Sequence, residues 1–132
     1  MNLAIQLQNT FLYSSVSIAL MVVFVMAYTA ITPYWEIALI KQGRRTAALS
    51  LGGAMIGFAI PLAVVISHSV SIVDLAIWAV VAGVLQLLIF GICAVILRPI
   101  SEQMDLNNQA AGTFIGAAAI AGGVINAGCL VP

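Results

Sequence analysis

Charge is what this sequence most lacks. Of 132 residues, 4 are Lys or Arg and 4 are Asp or Glu, so charged side chains make up 6% and cancel. A soluble domain devotes about a quarter of its residues to these types. A water-facing surface of this size cannot be covered with so few. Disordered chains combine high charge with low hydrophobicity, whereas this chain is 64% hydrophobic. Nucleic-acid binding needs a basic stripe to neutralise phosphates, and there is none. The chain has 1 His and 2 Cys, and no cluster of them has metal-ligand spacing. No acidic pair lies inside an apolar run, and no Ser/His or Cys/His arrangement can be assembled across a short loop. No glycine motif follows a strand to cradle phosphate. The sequence therefore predicts no catalytic residue, no cofactor, no metal and no enzyme. It predicts an integral membrane protein, with the lipid bilayer as its first partner.

The positions of the charges are more informative than their number. Residues 1–35, 46–73, 75–97 and 106–132 have none. Each gap exceeds the roughly 20 residues that a helix needs to cross about 30 Å of hydrocarbon. The runs are too long for barrel strands and lack their alternation. Four spans are predicted, near Phe11–Ile31, Thr46–Ile66, Leu75–Leu97 and Ala110–Val131. All basic residues, Lys41, Arg44, Arg45 and Arg98, fall after spans one and three. The positive-inside rule makes loops 32–45 and 98–109 cytoplasmic and both termini periplasmic, as in a bacterial inner-membrane protein. Residues 1–10 carry no Lys or Arg, which also argues against a cleaved signal peptide. Cys93 and Cys129 then sit toward opposite surfaces, beyond the roughly 7 Å reach of a disulfide, as two small buried thiols. His68 falls in the outer loop, and Trp35, Trp78, Tyr13 and Tyr34 lie at span ends as interface anchors.

The two halves resemble each other. A shift of 66 pairs Pro33 with Pro99, Glu36 with Glu102 and Phe24 with Phe90, and a shift of 63 pairs Gly53-Ala54 with Gly116-Ala117. This reads as two helical hairpins, residues 11–66 and 75–132, in parallel orientation. Pro33 and Pro99 end the odd-numbered helices. Glu36 and Glu102 are expected in solvated loop or at a cap.

The even spans are rich in small residues. Residues 110–131 hold 5 Gly and 7 Ala. Lipid tails are as apolar as Leu, so helices associate in a bilayer through close backbone approach. Gly53 and Gly57 form one small-residue face, and Gly112, Gly116, Ala119 and Gly123 form another. Spans two and four are expected to pack closely, leaving spans one and three to lipid. Pro61 lies inside span two, four residues after Gly57, and predicts a kink. Gln86 and Asn126 lie at depth and must face protein or water. They are either interhelical glue or the lining of a path.

Several stretches resemble a known family. They are Thr32-Pro33, Thr46-Ala47-Ala48, Ile60-Pro61-Leu62, residues 85–90 (LQLLIF), Ala110-Ala111-Gly112, Ala121-Gly122-Gly123 and Asn126-Ala127. Their order and spacing are similar to those of the YjfL-type bacterial inner-membrane proteins, built from tandem copies of a two-helix domain of unknown function (domain of unknown function 350). The resemblance runs from about Phe11 to Cys129. It implies a four-span inner-membrane protein and no established activity, cofactor or catalytic residue.

The predicted fold is thus an all-α integral membrane four-helix bundle made of two parallel two-helix hairpin repeats. Two functional readings remain open. The first is a structural or partner-binding subunit, homo-oligomeric through its glycine faces, whose loops 32–45 and 98–109 meet a cytoplasmic protein. The second is a small oligomeric channel or carrier lined by spans two and four, with Gln86, Asn126 and the Gly57–Pro61 kink along its path.

Overall fold

The computed structural model describes residues 2–130. In chain order the helices are α1 (Leu3–Ile31), α2 (Glu36–Lys41), α3 (Arg45–His68), α4 (Ile72–Ile96), α5 (Ile100–Asp105) and α6 (Gln109–Leu130). Four of them, α1, α3, α4 and α6, are long and apolar enough to cross a membrane, and no strand occurs among the described residues. The molecule is an all-helical membrane bundle. The two short helices cap one end, called here the loop end. The α3–α4 turn and the outer ends of α1 and α6 form the opposite, terminal end.

Local chemistry sets these boundaries. The Asn2 side chain accepts from Ala4 N (3.0 Å) and caps α1. The helix therefore starts at Leu3 rather than near Phe11, where the sequence placed the span. At about 1.5 Å per residue, 29 residues exceed the hydrocarbon thickness. The excess lies at the terminal end. Asn9, Thr10 and Tyr13 share a cleft of about 650 Å³ with Ile66 and Ser69, so the turns before Asn9 project past the bundle. Ser71 caps α4 by accepting from Asp74 N (3.1 Å), and the Asp74 carboxylate accepts from Val70 N (3.2 Å). The first contact satisfies an orphan donor of the helix start, and the second ties the residue before the cap to the first turn. The last predicted span residue, Val131, lies outside the described residues.

The short helices end alike. Gly43 (φ 80°) follows α2 and Asn107 (φ 53°) follows α5, both left-handed. After α2, Arg44 N donates to Leu39 O (3.0 Å) and Gly43 N to Ile40 O (2.9 Å); after α5, Asn108 N donates to Gln103 O (3.0 Å) and Asn107 N to Met104 O (3.1 Å). Each is a Schellman ending. Measured on these elements, the halves are 64 residues apart: Glu36 to Ile100, Gly43 to Asn107, Arg45 to Gln109. Glu36 therefore corresponds in the fold to Ile100, not to Glu102. One residue of the slip arises in the links before the short helices, where the first spans residues 32–35 and the second only 97–99.

Burial is uneven. Within the most apolar window of each long helix, 50% of residues are buried in α3, 33% in α4, 33% in α6 and 11% in α1. The expectation that α4 shares α1's lipid exposure does not hold. Its stripe of Leu75, Ala79, Ala82, Gly83, Gln86, Phe90 and Cys93 is buried. Ala79, Ala82 and Gly83 are small enough to let α4 lie against its neighbours. The outlying helix is α1, which packs Val16, Leu20, Met21 and Val25 and two rings on the core. Phe24 stacks on Phe58 (4.4 Å, 4°), and Tyr28 meets Phe90 edge-on (4.9 Å).

Candidate functional site

Two parallel helices in backbone contact form the centre of the molecule. A Cβ added to Gly53 would lie 2.7 Å from Gly116 O and closer still to Gly116 Cα. One added to Gly112 would lie 2.8 Å from Thr46 Cα, and one on Gly116 would lie 2.6 Å from Leu49 O. A Cβ on Gly57 would meet the Ala119 backbone, and one on Gly123 would lie 2.9 Å from Gly57 Cα. The structure thus brings Gly53, Gly57, Gly112, Gly116, Ala119 and Gly123 into one seam between α3 and α6. These faces are occupied inside a single chain.

Gln86 and Asn126 are placed beside this seam, facing protein. Gln86 is 3% exposed and Asn126 is 6% exposed. Asn126 Nδ2 donates to Ala82 O at 3.4 Å. Both amide atoms of Gln86 lack a partner, and its Oε1 sits 3.0 Å from the place a Gly57 Cβ would take. Pro61 is buried in α3, which runs unbroken from Arg45 to His68.

The loop end holds a polar cluster that the sequence did not predict. Thr32, ending α1, is extended (φ −76°, ψ 139°). The chain turns through Pro33-Tyr34-Trp35 and enters α2 at Glu36. Glu36 is 0% exposed. Its expected place in solvated loop is therefore corrected, because the turn lays α2 across the bundle end with its first residue inward. Thr32 Oγ1 donates to Glu36 Oε2 (3.0 Å). Glu36 Oε1 and the hydroxyls of Tyr28 and Tyr34 are buried without a partner. Ser50 of α3 adjoins both phenols, while its hydroxyl donates to Ala47 O (3.1 Å). Burial raises the Glu36 pKa above the usual carboxylate range, and the Thr32 hydrogen bond opposes this. Burial likewise raises the Tyr34 phenol, helped by the nearby Glu36 carboxylate. Tyr34 is thus corrected from surface anchor to cluster member, whereas Trp35 (73% exposed) stays at the surface. A cleft of about 540 Å³ adjoins the cluster, lined by Thr32, Pro33, Tyr34, Trp35, Glu36 and neighbours in α1. Glu102, by contrast, is exposed.

A second missed element joins the two halves. The side chain of Asn107 accepts from Thr46 N (3.2 Å) and Thr46 Oγ1 (3.0 Å). Arg44, the residue before α3, supplies no side-chain cap. The cap comes instead from 61 residues away, and Arg44 Nη1 donates to Asp105 O (2.8 Å). Cys93 is buried and free, but Cys129 is exposed, which corrects the expectation of two buried thiols. Cys129 lines a cleft at the terminal end with His68, Asp74 and Trp78. His68 is exposed in the last turn of α3, its Nδ1 near Val64 O (3.0 Å).

Comparison with known proteins agrees with this architecture. The chain is 38% identical over 118 residues to the UPF0719 inner membrane protein YjfL of Escherichia coli strain K12, covering 89% of each chain. The protein of the same name from Escherichia coli O157:H7 matches equally. No solved structure matches. The family pattern described as Domain of Unknown Function (DUF350) matches residues 2–130. With four membrane-length helices and a match over nearly its whole length, the chain belongs to the DUF350 family of membrane proteins.

Proposed function

We propose that the chain is a structural or partner-binding subunit of the bacterial inner membrane, not an enzyme, and that copies of it assemble through α1. The observation that carries this reading is the contrast between α1 and the rest. The small-residue faces of α3 and α6 are already used against each other. Helix α1 crosses the full membrane with 11% of its window buried, and a polar row of Asn9, Thr10, Tyr13, Ser14 and Ser17 lines a cleft toward its terminal end. Thr10 and Ser17 of this row donate to carbonyls of their own helix, so what α1 leaves uncovered is its long exposed apolar face. A second copy of α1 covers that face.

The orientation puts the loop end in the cytoplasm, because all four basic residues lie there. Lys41, Arg45 and Arg98 are exposed at that end. Loops 32–45 and 98–109 are then the surface offered to a cytoplasmic partner. The channel reading draws no support from Gln86 and Asn126, which face protein.

Disulfide cross-linking in native membranes tests the assembly. In a background of Cys93→Ala and Cys129→Ala, Ser14→Cys on α1 is expected to form covalent dimers on mild oxidation. Leu88→Cys, exposed on α4, is expected to form few. Equal yields from both positions, or none from Ser14→Cys, would count against the proposal.

A further inference from the structure

Glu36 is buried at a position that carries an apolar side chain in the second half of the fold. Its counterpart there is Ile100, which is 8% exposed. At 0% exposure, Glu36 is the more deeply enclosed of the two. Neither carboxyl oxygen meets a cation: Oε2 lies 3.0 Å from Thr32 Oγ1, Oε1 has no hydrogen-bond partner, and the one other group that favours the charged form is the Glu36 backbone N–H. The groups facing it are Tyr28 from α1 and Tyr34 from the turn, with Ser50 of α3 beside both phenols and Cys93 of α4 beside Tyr28. None of these carries positive charge at any pH. An isolated carboxylate costs so much in such surroundings that the group neutralises instead.

The hydrogen bonds of Thr32 lead to the same conclusion. Its Oγ1 lies 3.1 Å from Thr29 O, 3.1 Å from Tyr34 O and 3.0 Å from Glu36 Oε2. A hydroxyl has one hydrogen and can serve one of the three. If Glu36 is a carboxylate, Thr32 must donate to it and both carbonyls go without. If Glu36 is a carboxylic acid, its own O–H donates to Thr32 Oγ1. The Thr32 hydrogen is then released to Thr29 O or Tyr34 O. The neutral acid uses the observed geometry more completely.

We propose that Glu36 is a proton-binding site, resting in the fold as a neutral carboxylic acid and exchanging its proton through the adjoining cleft. On release, the O–H bond breaks and the proton passes to water in the cleft beside Pro33, Tyr34 and Trp35. The carboxylate left behind has no internal cation to pair with. It regains stability by reaching water in the cleft that Glu36 itself lines. Burial, which favours the uncharged form, acts in the same direction.

Infrared spectroscopy of the full chain in lipid vesicles tests this without needing a reagent to reach the site. A neutral carboxyl has a C=O stretch distinct from that of a carboxylate. The chain has 4 acidic side chains, and the other three, Asp74, Glu102 and Asp105, are exposed or half-buried. An ordinary Glu with a pKa of about 4.3 is protonated in roughly one molecule in 500 at about pH 7. Glu36 is expected to be protonated in more than half. The band should persist in the triple variant Asp74→Asn, Glu102→Gln, Asp105→Asn and vanish in Glu36→Gln. A band already lost from the unaltered protein by about pH 6, or one that survives in Glu36→Gln, would overturn the proposal. Should Glu36→Gln fail to fold, the triple variant decides alone, because Glu36 is its only acidic side chain.

Discussion

The seam between α3 and α6 can be tested with two glycines that are neighbours in sequence and opposite in surroundings. Gly53 faces the Gly116 backbone, and its added Cβ would sit 2.7 Å from Gly116 O. Gly52 has nothing within 4 Å of the same point. Carbon atoms pack at about 3.5–4.0 Å, and Gly116 Cα is closer to the added Cβ than Gly116 O is, so Gly53→Ala requires α3 and α6 to separate by more than about 1 Å. The atom in the way is backbone, so no rotamer change relieves it. A gap of 0.5–1 Å forfeits about a quarter to a half of each dispersion contact. The seam has four levels of contact, from Thr46–Gly112 to Gly57–Gly123. With on the order of ten atom pairs per level, each worth about 0.1–0.2 kcal/mol, the loss comes to about 1–4 kcal/mol. That agrees with the roughly 1–3 kcal/mol usual for overpacking. Gly52→Ala meets no obstacle and gains helix propensity, up to about 1 kcal/mol. Unfolding of both variants by titrated denaturing detergent, followed by circular dichroism, would measure the difference. Two variants equal within about 0.5 kcal/mol would refute the seam.

Two further outcomes follow from the polar contacts. Asn107→Gly preserves the left-handed turn but removes the acceptor for Thr46 N, and should cost about 1 kcal/mol in the same unfolding assay, as caps usually do; Asn107→Asp, which keeps the oxygen, should cost less. Gln86→Leu removes two buried amide atoms that have no partner, and unsatisfied groups cost about 1–3 kcal/mol each. The variant should therefore be at least as stable as the parent, and a clear loss of stability would show that Gln86 makes a bond the structure lacks.

The four spans were legible because charge is scarce and each charge marks an end. The small-residue seam was legible too, since Gly at four-residue spacing in an apolar run has one main use. Three features escaped for physical reasons. The short helices α2 and α5 are six residues each, too brief for a periodic signal. Glu36 was misread because hydropathy assigns a carboxylate to water, while the turn at Pro33-Tyr34 directs this one inward. Matching Pro33 to Pro99 reinforced the error by pairing Glu36 with Glu102 rather than Ile100. The Asn107 cap bridges 61 residues, so no local pattern contains it. The early start of α1 was visible after all. Asn2 is a good cap residue, and no charge or proline separates it from Phe11.

The cap on α3 bears on the order in which the protein is made. Synthesis runs from the N-terminus, so α1, α2 and α3 leave the ribosome before the chain reaches Asn107 or α6. At that moment the first amides of α3 have no acceptor from the second half, and its glycine face has no α6 to lie against. The most buried helix of the finished protein is therefore the one least provided for while the chain is half complete. Until α6 arrives, the exposed glycine groove of α3 must be filled by lipid, by the insertion machinery or by another nascent helix. The first hairpin is thus an unfinished object in the membrane, and the second completes it.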